Sequence, residues 1–257
     1  MFRWFEYGQI YHPTRDWETS ASDLGRPFED ISLTAADGVR LSAWFFPADE
    51  SSPRRHLAMV ICHGNGGNIS HRLPMCQAFL GMGVNVLLFD YRGYGHSEGA
   101  PSEEGTYLDA QAAHGWLRQK GFSQIIAFGE SLGGGIASEL ALRETVAGLI
   151  LSCTFTNLAD MGRAMFGWLP VHWFQTVKYD TLAKLPRIKV PVLIIHSRDD
   201  EIVPYRFAER NFAAANEPRF FTETHGLHNE TLSFDPVNYL GGVEKFLTLI
   251  EASASPK

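Results

Sequence analysis

Within Phe128 to Gly135, which directly follows the apolar run Gln124 to Ala127, Gly129-Glu130-Ser131-Leu132-Gly133 sets a single hydroxyl between glycines. The string matches GxSxG, in which a serine on a sharp strand-to-helix turn holds its Oγ clear of the backbone. Small neighbours are needed because flanking side chains would collide with adjacent backbone in so tight and strained a turn. An ordinary glycine-rich connection can carry the same letters. The rest of the chain must therefore supply what a reactive serine requires.

A serine hydroxyl is a poor nucleophile near neutral pH, so it needs a histidine base, and the histidine needs a carboxylate to fix its tautomer. In a strand-turn-helix setting these partners follow in the order acid, then histidine. His196-Ser197-Arg198-Asp199-Asp200-Glu201 ends an apolar run and offers three adjacent acids, of which Asp200 is favoured over Asp199 and Glu201. Thr224-His225-Gly226-Leu227-His228-Asn229 offers two histidines. His228, after a glycine-containing turn, is preferred over His225, and much of that preference comes from the resemblance given below. Acyl transfer also requires N–H donors for the oxyanion. One is expected from Leu132, just after the serine, and the other from Asn65 in the side-chain-poor loop His63-Gly64-Asn65-Gly66-Gly67-Asn68.

Composition narrows the alternatives. The chain has 257 residues, enough for one domain with a substantial core, and its net charge of -7 argues against a nucleic-acid surface. No apolar run reaches the roughly 18 residues of a membrane span. Cys62, Cys76 and Cys153 are unevenly spaced, two of them in apolar runs, which fits buried thiols and a reducing, cytoplasmic setting. The N-terminal Phe2, Trp4, Phe5 and Tyr7 fit packing onto the domain better than peripheral membrane contact, and the segment does not read as a signal peptide. There is no HExxH, no CxxC pair and no GxGxxG in the first strand-to-helix turn, so neither a metal nor a dinucleotide cofactor is expected.

The elements that must position these residues alternate. Glu29 to Thr34 and Val39 to Phe46 flank Asp37-Gly38 and read as an antiparallel hairpin. Continuous apolar runs at 57–62, 85–90, 125–129, 148–153 and 191–196 suit strands buried on both faces of a mainly parallel sheet. Helical spacing follows at 102–120, after Gly135, after Pro204 and near the end. The prediction is an α/β fold with helices on both faces and functional groups at the carboxyl ends of the strands. Residues 154–189 are long for a connection and rich in aromatics, which reads as a small helical cap inserted in a single domain spanning 1–257.

Taken together, "HGNGGNISHRL", "FDYRGYGHSEGAPSEEGTYLDA", "GESLGGG", "HSRDDEIVP" and "GLHNE" resemble the serine-hydrolase branch of the alpha/beta-hydrolase superfamily. They are most similar to the depalmitoylase-related alpha/beta-hydrolase domain-containing proteins and their bacterial homologues. The resemblance implies the alpha/beta-hydrolase fold, Ser131 as nucleophile, Asp200 as acid, His228 as base, and Asn65 and Leu132 as oxyanion donors, without a cofactor. Substrates would be small-molecule esters, with acyl-protein thioesters or a non-catalytic binding role as alternatives. Ser197 stands where the family often has glycine, and membrane anchors of eukaryotic relatives are absent from this sequence. Phe166, Trp168, Trp173 and Phe174, in the 154–189 insertion, are expected either to line an apolar acyl pocket or to cement the cap to the sheet.

Overall fold

A computed structural model describes residues 2–167 and 176–254. The strands are β1 (His12–Pro13), β2 (Glu29–Thr34), β3 (Arg40–Phe46), β4 (Leu57–Cys62), β5 (Gly66–Gly67), β6 (Asn85–Phe89), β7 (Gln124–Glu130), β8 (Gly148–Ser152), β9 (Val192–Ser197) and β10 (Arg219–Thr224). The helices are α1 (Phe2–Ile10), α2 (Leu73–Gly81), α3 (Glu103–Gln119), α4 (Leu132–Arg143), α5 (Leu158–Phe166), α6 (Thr181–Lys184), α7 (Tyr205–Ala214), α8 (Thr231–Phe234) and α9 (Pro236–Ala254).

Eight strands form one sheet in the order β10-β9-β8-β7-β4-β6-β3-β2. From β6 to β10 every neighbour is parallel, whereas β3 runs antiparallel to both β2 and β6. The β2–β3 hairpin turns at Gly38, whose φ of 86° is open to glycine without strain.

The continuous apolar runs have a direct physical cause. Along β4, Ala58, Val60 and Cys62 pack into a core shared with α3, α4 and α7. Leu57, Met59 and Ile61 point the other way, into a second core with α2 and α9. Both faces are buried, so no polar position alternates with the apolar ones.

Three helices, α1, α2 and the four-residue α8, lie where the sequence pattern carries no helical expectation. The α2 helix begins with a proline in its first turn, where the missing N–H costs nothing. In α1, Tyr7 packs edge-on against Tyr11, and Glu6 accepts hydrogen bonds from the Thr176 and Val177 backbone. The side chains of Phe2, Trp4 and Phe5 lie outside the described residues, and among those residues no helix is long and apolar enough to cross a membrane. The segment between β8 and β9 carries α5 and α6.

Candidate active site

The glycine-flanked serine stands between the end of β7 and the start of α4. Ser131 has φ 51° and ψ -115°, a left-handed backbone that a non-glycine residue adopts only at a cost. Its N–H donates to Ser152 O at 2.9 Å, and its carbonyl accepts from Gly134 N at 3.0 Å. The turn is pressed onto β4 so closely that a Cβ on Gly133 would overlap the carbonyl oxygen of Cys62. The glycine at 133 is therefore required by contact with neighbouring backbone.

Asp200 follows β9 and its side chain is fully buried. One oxygen, Oδ1, accepts from the backbone of Ile202 at 3.0 Å and of Val203 at 2.7 Å. The other, Oδ2, lies 2.8 Å from His228 Nδ1. Burial alone would raise the Asp200 pKa, but the hydrogen bond and charge of His228 and the Val203 N–H outweigh it, and the carboxyl is held below its ordinary range. Asp200 thus accepts from His228 Nδ1–H, which leaves Nε2 bare and facing the Ser131 hydroxyl at 3.1 Å. The His228 backbone is fixed in turn by Glu201, which accepts from its N–H at 2.8 Å.

The competing candidates engage each other. Asp199 is exposed and lies 2.9 Å from His225 Nδ1, away from the serine. Ser197, at the position where glycine is common, donates to Gly226 O and accepts from Asp199 N. Its hydroxyl ties the acid loop to the histidine loop.

The glycine loop after β4 lies against Ser131: a Cβ on Gly64 would sit 3.8 Å from Ser131 Cβ. The N–H of Leu132, at the first position of α4, has no intrahelical acceptor, as in the first turn of any helix. Above Ser131 opens a cavity of about 340 Å³ whose walls include Thr14, Asn65, His71, Arg72, Glu130 and Asn229. A neighbouring cavity of about 460 Å³ shares His71, Arg72, Glu130 and Asn229, and adds apolar walls from Met75, Leu232 and others.

Phe166 ends α5, is 39% exposed, and is not among the residues lining the cavity over Ser131. Trp168, Trp173 and Phe174 lie outside the described residues. Sequence reasoning missed Arg72 and gave Glu130 no function, yet the two meet at the cavity wall, with Arg72 Nε 3.1 Å from Glu130 Oε2. Glu130 stands inside the GxSxG string, which was the one available signal.

Among the described residues one trio has ligand atoms close enough for a metal ion: Cys153, Asp200 and His228, all within 4.8 Å of one another. Burial pushes the Cys153 thiol up to about 12, so it stays protonated and is a weak ligand, while the other two are engaged with each other.

A doubly wound sheet with a serine elbow at β7, an acid after β9 and a histidine after β10 defines a class, and the chain belongs to the alpha/beta-hydrolase family. The family model described as alpha/beta hydrolase fold matches residues 58–184. The chain is 37% identical to an uncharacterized protein of Mycobacterium tuberculosis over 96% of its own length and 89% of that protein. It is 33% identical to the alpha/beta hydrolase domain-containing protein WAV2 of Arabidopsis thaliana, covering 88% of this chain and 82% of that one. Among solved structures, an esterase of Pyrococcus furiosus superposes with a TM-score of 0.78 at 23% identity, over 92% of this chain and 98% of that chain, a likeness of fold.

Proposed function

We propose that the protein is a serine hydrolase that cleaves carboxylic esters through an acyl-enzyme on Ser131. The observation that carries this reading is the unbroken run from Ser131 Oγ to His228 Nε2 at 3.1 Å and from His228 Nδ1 to Asp200 Oδ2 at 2.8 Å. In the first half-reaction Ser131 Oγ attacks the ester carbonyl carbon while His228 Nε2 takes the hydroxyl proton. Negative charge gathers on the carbonyl oxygen, where the Leu132 and Asn65 N–H groups serve as donors. Collapse of the tetrahedral species expels the alcohol, which takes the proton from His228. Water then repeats the sequence on the acyl-enzyme, releasing the carboxylic acid and restoring Ser131. Asp200 stays ionised throughout, holding the imidazole in one tautomer and stabilising its charged form.

The small cavity over Ser131, with Thr14, Asn65 and Asn229 among its walls, supports short to medium acyl esters as substrates. The adjoining cavity with its Met75 and Leu232 walls favours a second reading, a longer acyl thioester, in which each buried methylene contributes about 0.8 kcal/mol. The three buried free cysteines support a reducing, cytoplasmic setting.

The test combines an organophosphonate probe with p-nitrophenyl esters from acetate to palmitate. Covalent labelling that disappears in Ser131→Ala, with kcat reduced on the order of 10⁶-fold, is expected. Labelling that persists in Ser131→Ala would overturn the nucleophile. Absence of both labelling and turnover would instead point to a binding protein on the same fold.

A further inference from the structure

We infer that Arg72 and Glu130 are a positioning pair that grips the Gly64–Gly66 loop from both sides and aims the Asn65 N–H at the reacting carbonyl oxygen. The inference rests on the proposed acyl-transfer reading, in which Asn65 supplies an oxyanion donor.

Asn65 N–H belongs to the peptide linking Gly64 to Asn65, and a planar trans peptide points its N–H opposite to its C=O. Four polar backbone groups around that N–H are held. On one flank Gly64 N–H donates to Glu130 Oε2 at 3.3 Å. The Gly64 carbonyl, the other end of the same peptide, accepts from His63 Nδ1 at 2.7 Å. Burial lowers the His63 pKa to about 3, so the ring is neutral and Nδ1 is its single donor. Beyond the N–H, the Asn65 carbonyl accepts from Tyr94 OH at 2.8 Å and from His12 N at 3.0 Å. On the far flank, Arg72 Nη2 donates to Gly66 O at 3.0 Å.

Arg72 and Glu130 close this ring of contacts. Arg72 Nε lies 3.1 Å from Glu130 Oε2 but off the hydrogen-bond axis, so that contact is an ion pair and not a directed bond. Both side chains are only 19% exposed, which limits screening by solvent. The placement of Glu130 explains the geometry. As the residue before Ser131 in a strained elbow, it is carried by the same backbone that carries the nucleophile. A carboxylate there references the loop directly to the nucleophile, so the N–H and Oγ move as one unit. A donor misplaced by as little as 1 Å loses much of its effect on the transition state.

The pair does not need to touch substrate, so its signature is in kcat. Glu130→Ala is expected to lower kcat for a short p-nitrophenyl ester about 10- to 100-fold with KM unchanged, short of losing an oxyanion donor outright. Organophosphonate labelling of Ser131, which also builds a tetrahedral oxyanion, should slow in parallel. Glu130→Gln keeps an acceptor for Gly64 N–H and should recover most of the activity. Arg72→Lys keeps the charge without the fork that reaches both Glu130 and Gly66, and should fall between them; it also serves where Glu130→Ala does not fold. Retained kcat in Glu130→Ala, a rise in KM alone, or a loss that Glu130→Gln does not relieve would overturn the inference. Hydrogen exchange at the Gly64–Gly67 amides reads the grip without turnover: faster exchange in Glu130→Ala supports it, and unchanged exchange refutes it. Should wild-type protein neither turn over nor label, the hydrolase reading fails, and the exchange result still decides whether the pair holds the loop.

Discussion

Replacing Asp200 by asparagine is the most discriminating single change, because the structure dictates which way the new amide must face. Asp200 Oδ1 accepts two backbone N–H groups, from Ile202 and Val203, at 3.0 and 2.7 Å. An asparagine must keep its carbonyl oxygen there, since turning its NH2 toward the two donors would leave both without their acceptor. For the buried Val203 that costs about 1–3 kcal/mol, whereas the exposed Ile202 N–H can turn to water. The amide nitrogen is thereby forced into the Oδ2 position, 2.8 Å from His228 Nδ1. A donor at that place makes Nδ1 the acceptor and moves the ring proton to Nε2, which then faces Ser131 with a hydrogen in place of a lone pair. The serine loses its base with little movement of heavy atoms. An error of this kind is worth on the order of 10⁴ in kcat, about 5 kcal/mol of transition-state stabilisation. The assay is p-nitrophenyl acetate hydrolysis by wild type, Asp200→Asn and Asp199→Asn, with near-ultraviolet circular dichroism to confirm folding. Asp199 pairs with the exposed His225, so its replacement should change kcat by less than about twofold, as for surface pairs in general. A crippled Asp199→Asn beside a near-normal Asp200→Asn would refute both the acid assignment and the tautomer argument.

Two further outcomes follow from the same geometry. Gly133→Ala would drive a Cβ into the Cys62 carbonyl oxygen, and a backbone atom cannot step aside; a loss of about 3 kcal/mol is expected in urea denaturation, and a loss under about 1 kcal/mol would contradict the close contact. Asp90 is wholly buried, and burial raises its pKa to about 7 against the hydrogen bonds from Ile69 N and Trp17. Its folded value exceeds its unfolded one, so its contribution to stability is complete below about pH 4 and is lost as pH rises toward 7, on the order of 4 kcal/mol in all. Asp90→Asn cannot titrate, so the stability of wild type relative to this variant should fall across that window in pH-resolved thermal melts. A constant difference would show that Asp90 keeps an ordinary pKa.

The strands were legible because both faces of the sheet are buried: β4 alternates between two cores, yet every residue is apolar, and that leaves a continuous run in the sequence. The elbow was legible for a related reason, since Gly133 is required by a backbone contact that no side chain survives. The direction of a side chain in a loop leaves no such trace. Asp199, Asp200 and Glu201 are adjacent and chemically alike, but they face His225, His228 Nδ1 and the His228 N–H respectively. Only the folded backbone separates them. The α2 helix was obscured by the polar stretch before it, Asn68 to Arg72, where Asn68 accepts from Ser70 N and closes a short helical turn. The Ser131 cavity was obscured by distance along the chain. Its walls come from Thr14, residues 64–67, His71, Arg72, Glu130, Ser131, His228 and Asn229, which share no periodic pattern, whereas the aromatic cluster around Phe166 made a more conspicuous local feature.

The strain at the site is shared between two strands. Ser131 and Cys153 both have positive φ, 51° and 48°, and each follows the end of a neighbouring parallel strand, β7 or β8. They are linked through Ser152, whose carbonyl accepts the Ser131 N–H and whose hydroxyl accepts from Tyr239 OH at 3.0 Å. Cys153 N–H donates to Ile195 O on β9 at 2.9 Å, close to the strand end from which Asp200 departs. Each left-handed residue costs on the order of 1–3 kcal/mol, which persists only where surrounding contacts over-determine the backbone. Here those contacts run from β7 through β8 to β9, along the edge that carries the serine and the acid. The energy stored in the elbow is thus balanced by hydrogen bonds that also fix the spacing between Ser131 and Asp200, the two ends between which His228 must fit.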